Sequence, residues 1–378
     1  MNQTSPRRSG CTPILFLTLL LVVVLMIGYY RVTSKVETNY GKPDPRLGNY
    51  QRLKQTLLLY REDSLLFKPN ILAEETKIVI EIAEPVNSIC AKLEAEGAVA
   101  NAQFMCGYLI YKGLDRDLQA GQFTILPQST SLQVAQRITD PKLKDVLFTV
   151  YPGWRLEEVA EAIRLAGLPL EPVEIINAFK YPMNESITSL FIPPNTSLEG
   201  YLCPENYALK PETQLIELVE IITACQLDLQ HKPGLLEAIN SNGLDYHGAM
   251  TLASIIQRET LDTNEMPIIA SVFYNRLAQG MMLQTDPTVQ YALGFDDVTK
   301  SWWKSPLTYT DLEVESPYNT YRVFGLPPGP ISTPSDEAIM AVAYPAETDF
   351  FYFRAKCDGS LTHAFSQTYE EHLSNACP

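Results

Sequence analysis

The chain has 378 residues, more than one hydrophobic core usually serves, so two globular units are expected beyond any anchor. At 46% hydrophobic, 10% aromatic and 19% charged residues, the composition excludes a largely disordered chain. The formal net charge is −15 and no long Lys/Arg run occurs. Such a surface repels phosphate backbones, which excludes nucleic acid as an expected partner and leaves a neutral or amphoteric polymer open.

In chain order, Ile14 to Gly28 is an almost unbroken apolar run. With Tyr29 and Tyr30 it approaches the ~17 residues that span a bilayer, and two tyrosines suit the membrane interface. Arg7 and Arg8 precede it, and Arg31 and Lys35 follow, a slight bias toward an inside N-terminus. No small-x-small cleavage site follows the run, so an uncleaved signal anchor is expected rather than a removed signal peptide. Thr33 to Asn49, with Gly41-Lys42-Pro43-Asp44-Pro45, reads as a polar spacer, and Tyr50 to Phe67 as a juxtamembrane helix.

A strand at Ile78–Ile82, helices at Val86–Leu93 and Gln103–Tyr111, a strand at Gln122–Leu126 and a helix at Leu132–Ile138 give a compact β-α-α-β-α module. A larger region follows. It has a strand at Val146–Val150, helices at Leu156–Leu165, Pro172–Phe179 and Leu215–Leu229, and an ordered Pro/Asn/Ser/Gly-rich loop over Phe191–Tyr207. Phe350–Ala355 and Thr362–Phe365 predict a hairpin around Cys357-Asp358-Gly359-Ser360, and Thr368 with Glu371 caps a last helix to Ala376. The expected class is α+β. The expected division is an anchor (1–35), a spacer with its helix (36–75), a small module (76–142) and a larger mixed domain (143–378).

Cys90, Cys106, Cys203, Cys225, Cys357 and Cys377 lie beyond Cys11 at the anchor. Six cysteines in an oxidising compartment permit fifteen pairings. Pairing of neighbours is the simplest guess, and six buried thiols are the alternative. The cysteines form no Cys-x-x-Cys, and His231, His247, His363 and His372 form no His-Glu-x-x-His, so a zinc site is not expected.

The candidate chemistry lies in Gly248–Thr260. Read as a helix, it places Leu252, Ile255, Ile256 and Glu259 on one face, with Gln257 and Arg258 pointing elsewhere. A carboxyl continuing an apolar stripe is desolvated, which raises its pKa and keeps a proton available to a leaving glycosidic oxygen. The competing reading is a glutamate at a helix end that reaches solvent or a buried arginine. Asn264 or Thr263 would cap a helix with Pro267 in its first turn, ending before Gly280. In Gln284-Thr285-Asp286-Pro287-Thr288, Asp286 either starts a short helix that stops at Gly294 or serves as a second catalytic carboxylate. Ser316-Pro317-Tyr318-Asn319-Thr320-Tyr321 and Gly325–Ile331 are stiff loops. Tyr318, Asn319 and Tyr321 offer the aromatic faces and amides that a sugar groove uses, or they belong to an ordinary structured loop. His363, near Phe365, is by itself more in keeping with a structural histidine.

Taken together, Leu252–Thr260, Ser271–Leu277, Leu283–Val289, Ser316–Tyr321, Gly325–Ile331 and His363-x-Phe365 resemble the YceG-like endolytic murein transglycosylase family. The resemblance covers roughly Ile78 to His372. It implies an N-terminal anchor in the bacterial inner membrane through residues 14–30, a single pass, a LysM-like module and an extracytoplasmic catalytic domain. It also implies a peptidoglycan lytic transglycosylase with Glu259 as its acid, acting on nascent glycan strands and leaving 1,6-anhydro-MurNAc ends. Gln284, Thr285, Asp286, Tyr318, Asn319, Tyr321 and His363 would bind substrate, with no metal and no organic cofactor. Association with wall-synthesis proteins is a further family-level implication. The sequence departs from the pattern at Gln257, where the family has an acid, at Cys203-Pro204-Glu205-Asn206-Tyr207, and at Tyr151-Pro152-Gly153. A cell-wall-binding scaffold and a hydrolytic muramidase are the competing functions.

Overall fold

The computed structural model describes residues 12–61, 64–182, 192–193 and 196–377, with side chains from residue 16 onward. Arg7, Arg8, Cys11 and the start of the expected loop at Phe191 lie outside the described residues. The chain divides into two compact units, Met1–Asp145 and Val146–Pro378.

The first unit opens with α1 (Thr12–Tyr40), in which Phe16–Tyr40 is long and apolar enough to cross a membrane. The helix runs on to Tyr40, through the first part of the region expected to be a polar spacer. Val36 and Tyr40, one turn apart, give it a face that docks into a core with Leu59, Leu66, Phe104 and Tyr111. α2 (Asn49–Arg61) supplies Leu59, and among the described residues of the longer helix expected there a 3₁₀ turn, Leu65–Phe67, follows it. β1 (Thr76–Ile80), α3 (Val86–Ala95), α4 (Ala102–Lys112), β2 (Gly121–Ile125) and α5 (Ser131–Thr139) complete the unit in the expected β-α-α-β-α order. β1 and β2 pair antiparallel with Ile78 opposite Phe123. Ile78, Ile80, Phe123 and Ile125 face a core closed by Ile89, Leu93, Leu109 and Ile138. The Cys90–Cys106 disulfide (Cα–Cα 5.9 Å) joins α3 to α4.

The second unit has two cores. In the first, β3 (Val146–Thr149) and β4 (Asn206–Leu209) pair antiparallel, and α6 (Leu156–Ala166), α7 (Pro172–Lys180) and α8 (Leu215–Thr223) pack with them through Val159, Ile163, Phe179, Leu218 and Ile222. The single helix expected over 215–229 is divided. α9 (Cys225–Gln230) starts afresh where Cys225 is bonded to Cys203 (Cα–Cα 5.9 Å). In the second core, α10 (Leu235–Ser241), α12 (Met266–Ala278) and α14 (Asp336–Ala343) surround α11 (Tyr246–Glu259), and α13 (Asp286–Leu293) lies against α11. Glu265, not Asn264 or Thr263, precedes α12, with Pro267 in the first turn as expected. The hairpin β5 (Tyr352–Ala355)–β6 (His363–Ser366) and α15 (Tyr369–Ser374) end the fold, with the Thr368/Glu371 capping box in place and Cys357–Cys377 bonded (Cα–Cα 5.4 Å). All three disulfides therefore join neighbours in sequence.

Candidate active site

Glu259 is the last residue of α11, and the whole helix explains why it sits where it does. Asp245 caps the start by accepting the Gly248 N–H at 2.7 Å. From Ala249 to Gln257 every residue is buried. A helix apolar all round belongs in the interior rather than at a half-buried face, so the one-sided stripe expected from the sequence is too narrow. Ser254 carries the helix's connection to the loop that follows Gly325. Ser254 Oγ donates to the Thr251 carbonyl (2.7 Å) and accepts the Ile331 N–H (3.0 Å), and its carbonyl accepts from Ser332 Oγ (3.1 Å). The Gly325–Ile331 loop is thus fixed to the middle of α11. Gln257 points not to solvent but to α14, where its Oε1 accepts the Ser335 N–H at 2.9 Å.

At Thr260 the backbone turns extended, and Glu259 is left partly buried where the helix ends. No hydrogen bond reaches its carboxyl among the described residues. Desolvation pushes its pKa up to about 8, the nearby Asp286 charge acts in the same direction, and Arg276 and Arg258 oppose both. Arg276, in the last turn of α12, spends its donors on backbone carbonyls: Nε on Phe351 and Nη1 on Leu283, each at 2.6 Å. Arg258 lies over the Trp303 ring, 3.8 Å from its centroid, and its Nη1 donates to the Gly153 carbonyl at 3.4 Å. Gly153 has φ +84°, and a Cβ there would sit 3.1 Å from Arg258 Nη1, so the Tyr151-Pro152-Gly153 turn keeps the glycine this approach requires.

Asp286 begins α13, and the helix stops at Gly294 as expected, but the residue does not cap it. Its Oδ1 instead accepts from the Tyr321 hydroxyl at 2.6 Å. Gln284 is exposed with φ +49°, and its N–H donates to the Thr320 carbonyl at 3.1 Å. Glu259, Asp286 and Tyr321 are close enough for both carboxylates to act on the Tyr321 hydroxyl, whose ionisation burial and these charges disfavour.

Three other expected site residues are engaged elsewhere. Thr285 is buried, with its N–H donated to Thr320 Oγ1 at 3.0 Å. Asn319 is wholly buried: its Nδ2 donates to the Leu312 and Val314 carbonyls, both at 2.9 Å, and its Oδ1 accepts the Tyr321 N–H. That side chain ties a loop together, as short amides do where regular structure is absent. His363 pairs with Glu265, through its N–H to Oε1 (2.8 Å) and Nδ1 to Oε2 (2.7 Å), which joins β6 to the start of α12.

Tyr318 belongs to a second cluster that the sequence reading did not find. Its ring lies 4.7 Å from that of Tyr291. The Tyr291 hydroxyl donates to Glu199 Oε2 at 3.4 Å, and the Leu156 N–H donates to Glu199 Oε1 at 3.0 Å. Burial pushes the Glu199 carboxyl well up, partly offset by the neighbouring Arg155. The Arg155 guanidinium lies 4.2 Å from the Tyr291 ring centroid and 4.6 Å from that of Trp302. Gly200, at φ +80°, leaves no room for a Cβ against Pro330, so the Ser197–Leu202 segment packs directly on the loop that α11 holds. The available signals were Glu199 beside Gly200 and the pair Trp302-Trp303; neither carries a helical or strand period.

The model of the YceG-like family matches residues 78–377. The chain belongs to the YceG-like family. An endolytic murein transglycosylase of Bacillus subtilis is 30% identical over 319 residues, 79% of this chain and 84% of that protein. One of Streptococcus pneumoniae is 28% identical over 313 residues, 77% of this chain and 56% of that protein. The crystal structure of a YceG-like protein from Listeria monocytogenes aligns with a TM-score of 0.54 at 30% identity, covering 80% of this chain and 99% of that one.

Proposed function

We propose that the protein is a membrane-anchored lytic transglycosylase that cuts nascent peptidoglycan strands endolytically at the MurNAc–GlcNAc bond. The observation that carries this reading is a carboxyl at the end of a buried helix, pushed up to about 8, with its oxygens left open. A group in that state holds a proton at neutral pH and can give it up.

Glu259 donates that proton to the glycosidic oxygen as the bond to C1 of MurNAc breaks. The resulting carboxylate accepts the proton of the MurNAc C6 hydroxyl as O6 closes onto C1, which leaves a 1,6-anhydro end and an acid ready for another turnover. The nucleophile is part of the substrate, so no protein nucleophile is needed. Arg276 and Arg258 favour the carboxylate that forms in the first step. Gln284, Asp286, Tyr321 and Tyr318 contact the strand, and Thr285, Asn319 and His363 hold the elements that carry them. α1 is the anchor, with the rest of the chain outside the cytoplasmic membrane, and the β-α-α-β-α module is a LysM-like glycan-binding unit. Names of the curated relatives and the family membership support the activity.

The test is mass spectrometry of uncross-linked glycan strands incubated with the full chain, beside Glu259→Gln. Anhydro-MurNAc ends, absent with the variant, are the expected result. The nearness of Asp286 supports one other reading, a muramidase, and reducing MurNAc ends would establish it in place of the transglycosylase. Strands bound but uncut would leave a scaffold.

A further inference from the structure

α2 carries an apolar stripe that the fold does not bury, besides the Leu59 that it does. It buries Gln55, Thr56 and Leu59, while Tyr50, Leu53, Leu57 and Tyr60 are exposed, Tyr50 by 76% and Leu57 by 50%. At ~100° per residue these four fall within about a third of the helix circumference. Exposed Lys54 and Arg61 fall in the same sector. The outward face is therefore an apolar stripe edged by cations. α2 contains no acidic residue, in a chain whose net charge is −15.

The position of this face indicates what covers it. α2 shares a core with the lower part of α1 through Leu59, Val36 and Tyr40. Lys35 Nζ lies 5.3 Å from the Tyr60 ring centroid. Lys35 comes five residues after Tyr30, where the exposed apolar run of α1 ends. Five residues are about 7.5 Å along a helix, which is close to the depth of the headgroup layer beyond the hydrocarbon.

We propose that the outward face of α2 is a second membrane contact. It lies on the leaflet at the C-terminal side of the α1 span, its Tyr/Leu stripe at the headgroup–acyl boundary and Lys54 and Arg61 toward anionic headgroups. The inference rests on the reading of α1 as a membrane span. Interfacial helices bind through this combination of a buried apolar face and basic residues near anionic lipid. Gln55 and Thr56 are buried beside Leu59 while Leu53 and Leu57 face outward, and contact with lipid would cover those two leucines.

The test places a benzophenone photocrosslinking residue at Leu57, at Val22 within the span, or at exposed Val173 in the second unit. The full chain is reconstituted in phosphatidylcholine–phosphatidylglycerol vesicles, and adducts are read by peptide mass. Lipid adducts at 22 and 57, with none at 173, are expected. Lys54→Glu with Arg61→Glu should lower the yield at 57 roughly thirtyfold without changing that at 22, as expected for the loss of ~1 kcal/mol for each of two basic residues near an anionic surface. An adduct at 22 with none at 57, or a chain-to-chain adduct at 57, overturns the proposal and leaves the anchor standing. Absence of an adduct at 22 removes the anchor and the proposal together.

Discussion

Glu199 and Glu259 lie in the same unit, and burial pushes both carboxyl groups above the ordinary carboxylate range, but their oxygens end differently. Both oxygens of Glu199 are taken, one by the Leu156 N–H at the start of α6 and one by the Tyr291 hydroxyl of α13. Those of Glu259 have no hydrogen-bond donor among the described residues, at a point where the helix meets the surface. A buried acid whose lone pairs are filled holds a structure together; one whose lone pairs are open is costly to the fold and available to a substrate. A raised pKa alone would have marked both as candidates.

The largest expected effect follows from that contrast. Glu259→Gln should lower strand cleavage by roughly 10²–10⁴-fold, the usual contribution of a general acid. It should also stabilise the protein. A carboxyl whose folded pKa is raised contributes no penalty below its unfolded value of about 4.3, and its penalty grows as pH rises toward the folded value of about 8. Glutamine carries no such penalty, so the variant's Tm should exceed that of the wild type by a few degrees at pH 8 and match it at pH 4. A lower Tm at pH 8 would mean that the Glu259 carboxylate is satisfied in the fold, and the contrast with Glu199 would collapse.

Glu199 should respond in the reverse order. Glu199→Ala strands a buried N–H and weakens the hold on Tyr291, a loss of about 1–3 kcal/mol in denaturant unfolding. Glu199→Gln keeps an acceptor for the Leu156 N–H and should retain most of the stability and most of the cleavage. Cleavage abolished by Glu199→Gln at unchanged stability would make Glu199 a chemical group and break the comparison.

Asp286 sharpens it on a smaller scale. Its charge disfavours ionisation of Glu259, so Asp286→Asn should move the alkaline fall of kcat/KM, expected near pH 8, to lower pH. The reduction should be a few-fold at pH 8 and slight at pH 6. A shift to higher pH would remove the electrostatic coupling to Glu259, and a loss equal at both would leave Asp286 only its contact with the strand.

How far all this was legible varied with the kind of signal. The order of the first unit could be read because its strands and helices carry short, clear periods, and the final capping box because Thr368 and Glu371 stand three apart. α1 was cut short because Thr33 to Asn39 is polar in sequence, although Val36 and Tyr40 alone suffice to dock it. α10 and α14 are not predicted from the sequence, the latter despite Ser335-Asp336-Glu337 before an apolar run, since helices of about two turns show no clear period. Glu259 was found through periodicity and resemblance together, yet the reason given was incomplete: α11 is enclosed on all sides, not along one stripe. Glu199 stands in Ser197–Leu202, a block that fits the family resemblance, but its role and that of Arg155 are not legible because their partners, Tyr291 and Trp302, are more than ninety residues away in sequence, and local pattern carries nothing about such pairs.

Gln257 gives the smallest effect and the finest discrimination. It stands where the family resemblance calls for an acid, two residues before Glu259, which would make it a mark of lost catalysis. Its Oε1 accepts the Ser335 N–H at the start of α14. A carboxylate would accept the same bond and would be favoured by the positive end of that helix by a few tenths of a kcal/mol. Glutamine and glutamate are thus nearly interchangeable in the hydrogen bond and differ chiefly in charge. Gln257→Glu should leave cleavage within about twofold and Tm within about two degrees, the range expected of a helix-terminus charge. A gain of tenfold or more in cleavage would show that the acid at 257 supports Glu259 electrostatically, and that its replacement here has weakened the enzyme.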